Sequence, residues 1–542
     1  MPPKPVAPPA PPAPAPATQP APNPVPPSPS PEDLKAAALL KTAGEALNQK
    51  NPAAAAERFR QFVREFPRRK QLNSARYSLA VALLELPNRD FGPIMEALTP
   101  AAADATLIER PAALYLLALS QKTTAIWLLE QAATKPAAEA QKLRADGGTL
   151  LEQAQQSFGV SAALYAARVP AANPPLATGD LEWSLRARYD QADALLRMGR
   201  QKEALAVLDG VLKSPSSVSG QSHALAVLAG GLAQTQLGDD LAAAKLLAAL
   251  APFSQQAIGL RARYLLASIH ARHGQWAEAA AQLDAVLTGL VPEQRAVDAL
   301  IKNPESFRMR PEEKIRYEVY LRESWVWGAQ AVFDLGCVFQ EQGKLADAIT
   351  RFAQYLQANP QGPHAIEARM RQAACFVQNK QGQEALRVLK GLQDDSGIGD
   401  QALLWQSRAV IASANVTDPK SADQSYAVAL DHLLRASAKV AAIQGDTPEI
   451  KARKGEILLE MAHAHELLRQ YKEASGVFGK AQLEGSPEQA ELALQRQAIV
   501  LGLAGLYKES EDLCAKFVST YPQSPLLPDV LLRQAENVFN TA

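Results

Sequence analysis

Residues 334–360, DLGCVFQEQGKLADAITRFAQYLQANP, decide the fold because small and bulky side chains recur there at fixed distances. Gly336 and Ala348 are twelve positions apart, and Phe352 and Pro360 follow Ala348 by four and twelve positions. Two helices that cross closely admit only Gly or Ala where they touch, and large side chains one turn away fill the space beside the contact. The spacing therefore predicts a hairpin of two helices that touch at Gly336 and Ala348.

The ends of these two predicted helices carry residues that stop helices. Gly343 lies between them, and glycine adopts the left-handed backbone conformation that other residues resist. Pro360 follows the second helix and cannot extend its hydrogen-bond ladder, because proline has no amide hydrogen. We therefore expect a tight turn at Gly343 and an end of the second helix before Pro360.

The same spacing recurs along the chain, so this hairpin is one copy of many. The second small residue of the copies falls at Ala55, Ala204, Ala243, Ala279, Ala348, Ala385, Ala474 and Ser510. Wherever two copies adjoin, these positions are 36 to 39 residues apart. A period of about 34 residues or slightly more is typical of solenoids built from helical hairpins. No convincing stretch of alternating apolar residues with hairpin turns interrupts the pattern.

This hairpin resembles the tetratricopeptide repeat (TPR), and the resemblance extends in degenerate copies over nearly all of residues 32–542. The residues that carry it in the opening stretch are Leu335, Gly336, Phe339, Ala348, Phe352 and Pro360. The resemblance implies an all-α fold, a TPR-like α-α superhelical solenoid. It also implies a concave groove that takes a protein or peptide ligand.

Composition divides the chain into four predicted parts. Residues 1–31 hold 16 of the 39 prolines, mixed with alanine, which predicts a disordered Pro/Ala-rich tether. Residues 32–170 read as degenerate helical repeats, and residues 181–290 and 311–542 read as two TPR arrays. The last helix either caps the second array or is followed by further repeats beyond residue 542. We favour the second alternative, because that helix carries apolar residues that no following helix covers.

Charge and motif content argue against several classes of function. Lys plus Arg equals Asp plus Glu at 56 each, so the chain lacks the basic excess of nucleic-acid-binding proteins. The three cysteines are widely spaced and form neither a disulfide framework nor a zinc motif. No run approaches the roughly 20 apolar residues of a membrane-spanning helix. We therefore predict no nucleic-acid partner and no membrane-spanning segment, and leave the oligomeric state open.

The sequence offers only weak candidates for catalytic and metal-binding residues. No phosphate-binding loop, nucleophile elbow or HExxH zinc motif occurs. His463 and His465 are two positions apart and point to different sides of a helix. His270 and His273 have a usable spacing of three positions, but no third ligand accompanies them. The sequence thus predicts no catalytic, cofactor-binding or metal-binding residue, no cofactor, and a protein that is not an enzyme.

Three aromatic residues on the first helices of their hairpins are the candidate partner-binding residues. Tyr189, Tyr264 and Phe333 occupy related helical positions and would form a stripe for an extended or helical apolar peptide. Packing between repeats is the alternative, and it is the more frequent role of such residues. The TPR proteins that grip chaperone tails carry Lys and Asn at the fifth and ninth positions of the first helix. That carboxylate clamp is absent here, because the corresponding pairs are Tyr189 and Asp193, Tyr264 and Ser268, Phe333 and Cys337, and Leu459 and His463.

The resemblance implies a non-catalytic protein–protein interaction scaffold. An alternative comes from FVREFP (62–67) and two similar segments, which resemble TPR proteins of bacterial envelopes, the outer-membrane assembly lipoproteins and the Tol-Pal-associated coordinator. That likeness implies an envelope biogenesis or division factor in the periplasm, with the cytoplasm as the other location. A third possibility is the docking or regulatory module of an enzyme.

Overall fold

The computed structural model describes residues 30–170, 178–213, 216–253, 257–304, 309–445 and 447–541. These described residues form 23 α-helices and one short 3-10 turn, and they contain no strand. The chain is therefore all-α, as the sequence predicts. The predicted tether falls outside the described residues, apart from its last two positions.

The helices follow one another with short connections. The first twelve are α1 (Pro31–Asn48), α2 (Pro52–Glu65), α3 (Leu72–Glu85), α4 (Phe91–Ala103), α5 (Arg110–Ala132), α6 (Ala137–Ala166), α7 (Gly179–Arg197), α8 (Gln201–Leu212), α9 (Ser216–Leu237), α10 (Asp240–Ala248), α11 (Ala257–Arg272) and α12 (Trp276–Lys302). The others are α13 (Pro311–Glu341), α14 (Leu345–Ala358), α15 (Ala365–Gln378), α16 (Gly382–Leu389), α17 (Gly399–Ala412), α18 (Pro419–Ala441), α19 (Pro448–Leu467), α20 (Tyr471–Glu484), α21 (Pro487–Leu503), α22 (Tyr507–Thr520) and α23 (Leu527–Thr541).

The chain forms two compact units, residues 1–120 and 121–542. In the first unit α1 packs on α2, α2 on α3, and α3 on α4. Its first helix begins with a capping box, in which the Ser30 hydroxyl accepts a hydrogen bond from the Asp33 amide at 3.1 Å and the Asp33 carboxylate accepts one from the Ser30 amide at 2.9 Å. Both side chains satisfy amides that a helix leaves without partners at its start.

The second unit is a stack of helical hairpins in two layers. Each helix packs on the next along the chain, and helices two apart also pack when both numbers are odd, from α7 with α9 to α21 with α23. The odd-numbered helices therefore form one continuous layer of side-by-side contacts. This is the solenoid arrangement that the repeat period predicts.

The small residues lie where helices touch, which confirms the predicted reason for their size. Gly336 on α13 faces the ring of Phe352 on α14, and a Cβ atom placed on Gly336 would lie 2.8 Å from that ring. Ala348 is fully buried. The small positions of the other copies are buried as well: Ala43, Ala55, Ala192, Ala204, Ala243, Ala267, Ala279, Ala373, Ala385, Ala462, Ala474, Ala498 and Ser510.

The turns between paired helices share one backbone conformation. Gly343 has a φ of 70°, and Gly199, Gly238, Gly274 and Gly505 take the same left-handed form in their hairpins. In three other hairpins the position is not glycine: Lys50, Lys380 and Arg469 have φ angles of 58°, 58° and 61°. The hairpins thus adopt the left-handed turn even at residues whose Cβ atom makes that conformation unfavourable.

One helix is longer than the sequence suggests. Residues 291–311 read as an insertion, but α12 continues through Pro292 to Lys302. Proline removes one hydrogen bond from the ladder. The helix continues because its next turns are packed, with Gln294 and Val297 both buried. The predicted division into arrays ending at 290 and beginning at 311 stays a prediction.

Candidate functional site

Phe333, one of the three predicted binding residues, packs inside a hairpin. Its side chain is 5% exposed. The ring stacks on His364 with centroids 4.6 Å apart, and it lies 5.8 Å from the Phe352 ring and 5.6 Å from the Tyr355 ring. Phe333 therefore fixes α13 against α14 and the segment that leads into α15.

Tyr264 is half-buried and joins α11 to α13. Its hydroxyl donates a hydrogen bond to the Asp334 carboxylate at 3.0 Å, and its ring lies 5.9 Å from that of Trp327. Burial raises the pKa of Asp334, against the hydrogen bonds that it accepts from Gln330 and Tyr264. Tyr264 thus spans two neighbouring odd-numbered helices.

Tyr189 on α7 is half-buried against the apolar cluster of α7, α8 and α9. Burial raises the pKa of its phenol, and the nearby carboxylates of Asp193 and Asp190 raise it further. The three aromatic residues therefore all make packing contacts, the alternative that the sequence leaves open. Their role in partner binding stays a prediction.

The first half of α13 lies against α7 through charged side chains that are far apart in sequence. Arg316 on α13 pairs with Asp190 on α7, and Glu323 on α13 pairs with Arg197 on α7 at 2.7 Å. α13 has 31 residues, so it is about 46 Å long, roughly twice the length of α14 with its 14 residues. This extra length carries its first half over α7.

A buried lysine completes this ionic network. The Lys122 ammonium on α5 lies 2.7 Å from the Asp190 carboxylate and 3.0 Å from that of Asp193. Burial alone would lower the pKa of Lys122, but the two carboxylates outweigh it and raise the pKa. Burial would likewise raise the pKa of Asp193, but Arg197 and Lys122 outweigh it and lower the pKa. Lys122 and Asp193 are therefore charged, and each depends on its partners because water is excluded.

Arg261 on α11 is the cation in this region that lacks an acidic partner. Its guanidinium lies 5.2 Å from the Tyr264 ring and 5.3 Å from the Trp327 ring. Among the described residues it makes no ion pair, and its buried Nη1 atom has no hydrogen-bond partner. Burial lowers its pKa. The two aromatic rings hold Arg261 in place through cation–π attraction.

An apolar patch lies on the exposed sides of α5 and α13. Trp127 is 53% exposed, Trp325 is 63% exposed and Val326 is 71% exposed. Glu130 pairs with Arg322 at 2.8 Å, and each of these residues lies three positions from one of the tryptophans. Residues three apart share a helix face, so the ion pair joins the two faces that carry the tryptophans. We call Trp127, Trp325 and Val326 the tryptophan patch.

The sequence analysis did not single out the tryptophan patch. The signal was present in RESWVWG (322–328), where two tryptophans lie two positions apart on one helix. Residues at that spacing point to different sides of a helix, so the two tryptophans cannot both face the same packed side. Trp327 is buried and Trp325 is exposed. Exposed tryptophan is unusual outside binding surfaces.

Among the described residues, no group of three or more His, Cys, Asp or Glu side chains is placed to hold a metal ion. By length and composition α5 is apolar enough to cross a membrane, which was not predicted from the sequence. Its most apolar stretch is 67% buried, as in a core helix.

The fold described above defines a helical-hairpin repeat protein. The model of the tetratricopeptide repeat family matches residues 189–259 and 333–412. These two stretches therefore match the tetratricopeptide repeat, as the spacing of their small residues predicts. This fold is typical of protein–protein interaction scaffolds without catalytic activity. The narrower likeness to bacterial envelope proteins stays a prediction.

Three solved structures to which this chain is similar have low sequence identity and low TM-scores. Yeast Tom70 is 13% identical, over 90% of this chain and 100% of that chain, with a TM-score of 0.27. A tetratricopeptide repeat protein of Parabacteroides merdae is 14% identical, over 57% and 98%, with a TM-score of 0.32. The APC/C hetero-tetramer Cut9–Hcn1 is 14% identical, over 92% and 96%, with a TM-score of 0.27. No curated protein matches this sequence.

Proposed function

We propose that this chain is a non-catalytic scaffold that binds a protein partner through the tryptophan patch. The observation that carries the proposal is the exposure of Trp127, Trp325 and Val326 on helices whose other sides are packed. Tryptophan contributes more binding energy per residue than most side chains when a partner covers it. Exposed apolar side chains that lie together beside charged residues support a binding surface.

The network under the patch supports a preformed surface. Arg316 and Glu323 hold the first half of α13 on α7, and Arg322 holds it on α5. A partner therefore meets helices that are already fixed, and the entropy cost of ordering them on binding is small. The side of α7 that faces α13 is occupied, which leaves the outward side of α13 for a partner.

The test is affinity capture with the purified chain, followed by titration of the captured protein. Trp325→Ala with Val326→Ala should lower the affinity about tenfold or more, because truncation of a covered tryptophan costs about 2 kcal/mol or more. The matched control is Leu241→Ala with Leu483→Ala, since these leucines are 84% and 87% exposed on even-numbered helices. Equal capture by both double variants would refute the proposed surface.

The stripe of Tyr189, Tyr264 and Phe333 remains a second candidate surface in the same experiment. Phe333→Ala is uninformative, because emptying a buried phenylalanine site costs about 3–5 kcal/mol of stability. Tyr264→Leu and Tyr189→Leu remove the aromatic rings but keep apolar side chains at these half-buried positions. A partner that packs on the rings of the stripe should lose affinity on these changes while the fold, followed by circular dichroism, is retained.

A further inference from the structure

A second surface of the repeat array is basic and concave. Two adjoining cavities of about 380 Å³ each open beside α16, and Arg387 and Lys390 line both. Arg369 lines the first cavity, and His432 and Arg435 line the second. We call these five residues the basic groove. It lies in a different part of the array from the tryptophan patch.

The cavities exist because α16 is short. It has 8 residues, whereas α14 and α18 have 14 and 23. The helix ends at Leu389, and Gly391 then turns the chain with a φ of 87° into the 3-10 turn. The missing turns of helix leave open space between α14 and α18. Lys390 stands at the end of α16, where a cation is stabilised by the helix dipole.

The cations of the basic groove are weakly engaged within the chain. Arg369 and Lys390 make no ion pair with any of the described residues. Arg387 lies 3.7 Å from Glu384, and Arg435 lies 3.8 Å from Asp431, so both pairs are long as well as exposed. Such pairs contribute little, about 0–1 kcal/mol, and exchange readily for a better partner. No Asp or Glu is among the residues that line the cavities.

His432 adds a polar group that has no partner. Its buried Nδ1 atom makes no hydrogen bond to any residue that the structure describes. Burial lowers the pKa of His432, and Arg435 lowers it further, against Asp431. The imidazole is therefore neutral at pH 7. At that pH the positive charge of the groove comes from the other four side chains.

We propose that the basic groove binds an acidic segment of a protein partner, with glutamate or aspartate carboxylates seated on Arg369, Arg387, Lys390 and Arg435. Arginine presents paired N–H groups that match a carboxylate, and the exposed Gln383 offers its amide to the peptide backbone. The proposal rests on the proposed function only in taking the chain to be a protein-binding scaffold.

The surroundings of the groove favour a peptide over a nucleic acid. Glu384 and Asp431 flank the cations, and a continuous phosphate backbone would pass close to both carboxylates. The chain as a whole has a formal net charge of +0, so no wider field attracts a polyanion. An extended peptide with an acidic residue at every second position places its carboxylates on one side, toward the cations, and its other side chains toward the flanking acids.

Fluorescence anisotropy with a labelled peptide tests the proposal directly. The probe is a 12-residue peptide of alternating Glu and Ser, and the reference is the same peptide with Gln in place of Glu. The full chain should bind the Glu peptide at least about tenfold more tightly than the Gln peptide at low salt, and the difference should shrink as salt screens the charges. Equal binding of the two peptides would overturn the proposal.

Variants locate the peptide on the surface. Arg387→Glu with Lys390→Glu should abolish the preference for the Glu peptide, and both residues are exposed, so the fold tolerates the change. Lys472→Glu with Lys508→Glu changes the net charge equally at exposed positions on α20 and α22 and should keep the preference. A preference lost in both double variants would indicate net charge alone and would contradict a groove.

Two further measurements distinguish this proposal from binding at the tryptophan patch and from nucleic-acid binding. Trp325→Ala with Val326→Ala should leave peptide binding unchanged, so failure of the tryptophan patch and failure of the basic groove give different results. If these variants lose the Glu peptide, the peptide lies on the other surface and the proposal fails. Tighter binding of a 12-nucleotide single-stranded RNA than of the Glu peptide would assign the groove to nucleic acid instead.

Discussion

Substitution of Gly336 by alanine tests the claim that small residues mark helix contacts. A Cβ atom at this position would lie 2.8, 2.9 and 3.1 Å from three carbons of the Phe352 ring. These distances are shorter than carbon atoms tolerate, so the ring must move. Phe352 is fully buried, and its ring lies 5.8 Å from that of Phe333, so it cannot move freely. We expect α13 and α14 to separate slightly.

The expected cost follows from two opposing effects. Overpacking a well-filled core costs about 1–3 kcal/mol. Alanine in place of glycine within a helix stabilises by about 1 kcal/mol, because the unfolded chain loses less entropy. Gly476→Ala on α20 isolates this second effect, since nothing lies within 4 Å of its added Cβ atom. The difference in stability between the two variants should therefore be about 1–3 kcal/mol, with Gly336→Ala the less stable.

Urea unfolding followed by circular dichroism measures the difference, and hydrogen exchange shows whether it is confined to α13 and α14. Phe352→Leu should relieve part of the clash, because Ala192 and Leu208 form the same pair in another copy. The double variant should thus be more stable than the sum of the two single changes predicts. Gly336→Ala as stable as Gly476→Ala would refute the reasoning.

Three further predictions concern the left-handed turn at Lys380, the ionic network around Lys122 and the cysteine thiols. Lys380→Gly should raise the urea midpoint, because it relieves a left-handed residue that costs about 1–2 kcal/mol. Asp190→Asn should destabilise the second unit by about 3–5 kcal/mol in the same assay, since it leaves the buried Lys122 ammonium with Asp193 alone. Burial raises the pKa of Cys375 and Cys514 from 9.0 to about 11, so at pH 8 both should react with a thiol reagent only after unfolding. Because these pKa values are raised in the folded state, their contribution to stability is complete below pH 9 and is lost as the pH rises toward 11.

The hairpin architecture was predictable from the chain because it depends on local chemistry. A glycine that adopts a positive φ, a proline after a helix and alanine at a fixed spacing each constrain the few residues around them. The left-handed turns at Lys50 and Lys380 were harder to predict, because their side chains disfavour that conformation. There the packing of the two helices imposes the turn.

The candidate surfaces were less predictable, because they combine residues that are distant in sequence. Tyr264 and Phe333 have the aromatic character of binding residues, but their neighbours on adjacent helices engage them in packing. The basic groove joins side chains of α15, α16 and α18, and no local motif marks it. Its cavities depend on the early end of α16 and on the positions of the helices beside it, so they form only in the folded array.

The sequence by itself determined that this protein is a series of helical hairpins, where each hairpin turns, and which small residues its helices share. Those properties follow from backbone preferences and from side-chain volume at positions close along the chain. The tertiary structure decided which polar and aromatic residues remain free for a partner. That outcome depends on α13 lying over α7, where Arg316 reaches Asp190 across 126 positions of sequence. A contact of that kind is fixed only when the whole stack has formed.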